Sequence, residues 1–108
     1  MLTFKQLQEE QVAWSEHNFP LRPAYFSLLG IMEEVGELSH AHLKQEQGIR
    51  GDSEIHEEAA KDAIADIVIF LSDYCSARGF DFQTIMEKVW PEVKKRDWRK
   101  YPKDGIRK

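Results

Sequence analysis

Three glutamates fall in the short run Glu33-Glu34-Val35-Gly36-Glu37, and an isolated aspartate, Asp66, stands alone in an apolar stretch from Ala63 to Leu71. On a helix, 33 and 37, and likewise 34 and 37, are neighbours, and like charges at those spacings destabilise a helix by roughly a few tenths of a kcal/mol per pair. A carboxylate set in apolar surroundings costs more, and must be paired, protonated or bound to a cation. Two acidic groups on two apolar helices are reconciled if they face each other around a metal, and oxygen-only ligands suit Mg²⁺ or Mn²⁺. Asp62 and Glu58 precede Asp66 by one and two turns and Asp73 follows by two, so the helix carries an acidic seam. Gly36 inside the glutamate run costs about 1 kcal/mol relative to alanine and suggests close approach of a backbone or ligand.

Other chemistries find little support. Glu37-Leu38-Ser39-His40 has the E-x-x-H spacing of di-iron carboxylate bundles, but no second copy occurs. His17, His42 and His56 read as surface or hinge residues. Cys75 is the single cysteine, which excludes an intrachain disulfide and a thiolate metal cluster. There is no Gly-rich phosphate loop, no H-E-x-x-H and no Gly-x-Ser-x-Gly elbow.

Four helical segments must position these residues. Thr3 and Gln6 form a capping box that starts a helix to about His17, ended by Asn18-Phe19-Pro20. Pro23 suits the first turn of a long second helix ending before Gly48. Asp52 or Ser53 caps a third helix, from about Glu54 to Ala77, which Gly79 closes. Being apolar nearly all round between residues 63 and 71, it should be buried on most faces. The fourth starts at Asp81, repeats apolar residues at 82, 85, 86 and 89, and is ended or kinked by Pro91. A basic tail follows from about Glu92 to Lys108. The expectation is one all-α domain over residues 1–108, a four-helix bundle.

Composition narrows the function. A formal net charge of −4 argues against binding a nucleic-acid polymer. No basic n-region precedes an apolar stretch, and no apolar run spans a bilayer, so the expected compartment is the cytoplasm and no membrane partner is expected.

Glu33-Glu34-Val35-Gly36-Glu37-Leu38, followed by Asp66 in Asp62-Ala63-Ile64-Ala65-Asp66-Ile67, resembles the MazG-like nucleotide pyrophosphohydrolases. These all-α enzymes share their fold with dimeric dUTPases and phosphoribosyl-ATP pyrophosphohydrolases. The family pattern is E-E-x-x-E, a loop, then E-x-x-D. The first motif is matched in full; in the second, Ala63 stands where the family has glutamate, and Asp62 is the candidate replacement. The resemblance covers about residues 18–99. It implies that Glu34, Glu37, Asp62 and Asp66 hold Mg²⁺, with Mn²⁺ as a substitute. Glu33 would orient or deprotonate the attacking water, or serve as a further ligand. The implied reaction cuts the α–β phosphoanhydride of a nucleoside triphosphate to monophosphate and pyrophosphate. Trp14 and Phe70 are candidates to stack on the base, or core residues; His40 is a candidate substrate contact; Lys95, Arg96 and Arg99 are candidate phosphate donors, or a solvated tail. A homodimer or a tetramer is implied. Ala63 also motivates an alternative, a non-catalytic metal- or partner-binding module on this scaffold, with a di-iron carboxylate protein third.

Overall fold

The computed structural model describes residues 1–106; Arg107 and Lys108, the end of the basic tail, lie outside the described residues. Four helices form: α1 (Phe4–Asn18), α2 (Ala24–Gln47), α3 (Ser53–Ala77) and α4 (Phe82–Lys94), with no strand among the described residues. The chain is all-α.

The helix ends follow local chemistry. The Thr3 hydroxyl accepts from Gln6 N and the Gln6 side chain accepts from Thr3 N, each at 3.0 Å, completing the capping box. Pro23 sits one position earlier than expected, as the N-cap of α2. Gly48 ends α2 in the left-handed conformation, φ +69°. Asp52 caps α3 and Asp81 caps α4, each accepting a backbone N–H three residues on. At the end of α3, Phe80 N donates to Cys75 O and Gly79 N to Ser76 O, with Gly79 at φ +70°.

α2 and α3 form a long antiparallel pair, in a register that sets Ser27 against Asp73 and Gln45 against Glu57. Gly30 makes the pairing close: a Cβ there would lie 2.4 Å from the Phe70 ring. α1 lies on α3, with the Gln8 amide donating to Ser76 Oγ. α4 starts against the first turns of α1, where Phe4 and Phe82 rings stand 4.8 Å apart and Phe82 N donates to Gln8.

Three expectations are corrected. Pro91 does not end α4, which continues to Lys94 with the proline inside it at the loss of one i→i−4 bond, and the tail therefore begins after Lys94 rather than at about Glu92. His56 is buried, and its Nε2 bonds Ile49 O at 2.9 Å, tying the α2–α3 loop to α3. α3 is not buried on most faces within one chain: Ile64 is 53% exposed, and the buried apolar side chains among the described residues are Ala41, Ala63, Cys75 and Phe82. The radius of gyration, 17.5 Å, exceeds the roughly 13 Å of a compact chain of this length. Leu29 and Met32 on α2 and Val89 and Trp90 on α4 are accordingly exposed.

Candidate metal centre

The helical spacing of α2 brings Glu33, Glu34 and Glu37 together: a carboxylate oxygen from each lies within 4.8 Å of the others. Glu34 is turned inward and is 8% exposed, while Glu33 and Glu37 are exposed. One Glu34 oxygen, Oε2, is buried without a hydrogen-bond partner. Burial, together with the charges of Glu37, Asp66 and Glu33, pushes the Glu34 carboxyl above the usual range. Mutual repulsion and an orphaned acceptor are what a hard divalent cation relieves, and these donors are all oxygens.

Across the helix pair, Asp66 of α3 is half-buried and lines the same cleft as Glu34, about 450 Å³ in volume. α1 supplies one wall through Gln11, Trp14 and Ser15. Phe70 forms another by lying across the α2 backbone at Gly30. Phe19 and Phe26 complete an aromatic corner, with rings 5.4 Å apart and Trp14 6.0 Å from Phe19. Trp14 and Phe70, singled out from sequence, thus border the cleft that holds Glu34 and Asp66. Phe19 and Phe26 were missed: Phe19 reads only as part of a helix-breaking run, and Phe26 as one more apolar position of α2.

Other candidates stand elsewhere. Asp62 is exposed and lines, with Glu58 and Glu54, a separate open groove at the start of α3. Glu58 there pairs with Lys61 at 3.0 Å. His40 is exposed, nearly a turn beyond Glu37, and is not among the cleft-lining residues. Lys95, Arg96 and Arg99 follow α4, which packs on the opposite end of α1 from Trp14, and none of them lines the cleft. Lys95 pairs with Glu92, and the segment closes on itself as Asp97 N donates to Gly105 O and Asp97 Oδ1 accepts from Arg99 N and Lys100 N.

The acidic seam along α3 does not exist as one surface. Asp73 is buried, 2% exposed, and forms a two-pronged ion pair with Arg22, whose Nε lies 3.0 and 2.9 Å from its oxygens and whose Nη2 also donates to it. Ser27 Oγ donates to the same carboxylate at 2.6 Å. Burial alone would raise its pKa, but hydrogen bonds from Arg22, Ser27 and Gln11, with the Arg22 charge, hold it at about 2. Arg22 reaches Asp73 from the α1–α2 connection, where the preceding Leu21 takes a left-handed φ of 60°. No spacing in the sequence signals a pair 51 residues apart.

Searches of protein-family models, of curated proteins and of solved structures find no match to this chain.

Proposed function

We propose that this chain is a Mg²⁺-dependent nucleotide pyrophosphohydrolase, cleaving a nucleoside triphosphate between its α and β phosphates. The observation that carries the reading is Glu34, a buried carboxylate with an unpartnered oxygen, clustered with Glu33 and Glu37 and facing a cleft that Asp66 shares. Glu34, Glu37 and Asp66 would hold the cation; Asp62, by its placement, is the weaker candidate. Mg²⁺, with Mn²⁺ as a substitute, would supply there the positive charge that lets a triphosphate approach carboxylates. Glu33, exposed beside the cluster, orients a water and accepts its proton, or adds a further ligand. Trp14 and Phe70 give the base a π surface and shield the cleft from water. Among the described residues no Ser, Cys or Lys is arranged as a nucleophile, in keeping with direct attack by water.

The same reading takes the assembly to be a homodimer or a dimer of dimers in the cytoplasm. Exposed Leu29, Met32 and Ile64 support association, since side chains of this size in one chain call for cover. No described helix is long and apolar enough to cross a membrane.

A second reading, a non-catalytic binding module, draws on Ala63: it is 2% exposed in the α2–α3 core, where the resembled family has a glutamate. One experiment separates the two. Products from a panel of nucleotides with Mg²⁺, and with EDTA as control, are resolved by chromatography. Monophosphate and pyrophosphate are expected. Orthophosphate as the sole inorganic product rejects α–β cleavage, and no turnover across the panel favours the binding module.

A further inference from the structure

Gln11 is 8% exposed and lines the aromatic cleft, yet its side-chain oxygen Oε1 is buried without a hydrogen-bond partner. Asp73 lines the same cleft. Its carboxylate, paired with Arg22, is acceptor-only, and the Gln11 amide is among the groups that hold its pKa down. An acceptor-only carboxylate takes the NH₂ end of an amide, and Oε1 is the end without a partner. Asp73 is itself pinned by Arg22 and Ser27.

A buried acceptor that stays unpaired is costly, and a ligand that brings a donor to it relieves that cost. At this end of the cleft the charged lining group, Asp73, also accepts. A keto-edged base would turn its oxygens toward acceptors, whereas an amino-edged base offers hydrogens. Asp66 and Asp73 are seven residues apart on one helix face, about 10 Å along α3, which is the scale of a nucleoside lying between the acidic cluster and Gln11.

We infer that Gln11 is a specificity residue whose side-chain oxygen accepts from the exocyclic amino group of a base such as cytosine or adenine. The inference rests on the reading of this cleft as a nucleotide site. Asp73 is a positioning residue that acts through Gln11.

Equilibrium dialysis tests it without requiring turnover. The probes are CMP against the monophosphate of zebularine, which has hydrogen in place of the amino group, and AMP against purine riboside monophosphate, with UMP as the keto base. The wild-type chain binds CMP or AMP about tenfold or more tightly than its des-amino counterpart, and UMP also binds weakly. Gln11→Met, similar in length but without the amide acceptor, binds the amino and des-amino forms alike. Equal affinities in the wild type, a preference that survives Gln11→Met, or no binding of any probe overturns the inference. Should Gln11→Met fail to fold, the wild-type comparison alone decides. Amino selectivity without pyrophosphate release keeps the inference and sinks the hydrolase reading; pyrophosphate release without amino selectivity does the reverse.

Discussion

Replacing Arg22 with methionine removes the cation from a carboxylate that is 2% exposed and leaves Asp73 with Ser27 and Gln11 alone. The paired carboxyl titrates at about 2 against an ordinary 3.8, a difference worth about 2 kcal/mol of stability. Because the folded pKa is depressed, that stability is present above pH 3.8 and is lost as pH falls through 3.8 toward 2. In Arg22→Met burial remains and the compensating charge does not, so the carboxyl moves above its ordinary value and the sign reverses. The variant should lose about 3 kcal/mol at pH 7, the usual cost of an orphaned buried charge. Relative to the wild type it should regain stability on acidification from pH 7 toward pH 4. Urea unfolding monitored by far-UV circular dichroism, at pH steps between 3.5 and 7.5, measures both quantities. Adding Asp73→Leu to Arg22→Met should recover much of the loss, since no unpaired charge then remains. A loss below about 1 kcal/mol, or pH profiles that run parallel, would refute the argument that this pair anchors the α1–α2 connection.

Other consequences follow from the acidic cluster and the glycines. Glu34 has a raised folded pKa, so it costs stability as pH rises through that value; Glu34→Gln should therefore melt higher than wild type at pH 7 in EDTA. Mg²⁺ should raise the wild-type melting temperature and leave that of Glu34→Gln nearly unchanged; equal shifts would count against Glu34 as a ligand. Asp66→Ala should weaken the Mg²⁺ dependence of turnover far more than Asp62→Ala, whose groove is separate; equal losses in a metal titration would place Asp62 in the site. Gly30→Ala should cost about 1–3 kcal/mol by driving Phe70 off α2. Gly36→Ala, with open space around it, should be neutral or stabilise the isolated chain by up to about 1 kcal/mol. Denaturation curves check both, and a destabilised Gly36→Ala would mean that another surface covers that position.

Helix ends and the glutamate cluster were readable because they depend on spacings of three or four residues. Thr3 with Gln6, Gly48, Asp52 and Gly79 each act on backbone groups within a turn of themselves. Glu33, Glu34 and Glu37 meet because one helix repeats every 3.6 residues. Burial was harder to read, because it depends on the register of α2 against α3. Asp66 has the more apolar neighbours in sequence, yet Asp73 is the more buried carboxylate, since Arg22 and Ser27 reach it and compensate its desolvation. Gly36 drew attention by its place among the glutamates, but it meets nothing within 4 Å; the close approach is at Gly30, one α3 ring away from any local signal.

The contact between Gly30 and Phe70 also ties two positions into one heritable unit. A side chain at 30 is compatible with this helix spacing only if residue 70 gives up volume, because a Cβ would fall 2.4 to 2.7 Å from the ring. Drift at either position is thus filtered by the other, and the pair changes together or stays. Since Phe70 is also a wall of the cleft, a compensated change such as Gly30→Ala with Phe70→Leu keeps the helices paired while reshaping the chamber between them. Descendants of this chain can alter what the cleft admits through a substitution on the far side of its wall, with every acidic residue left in place.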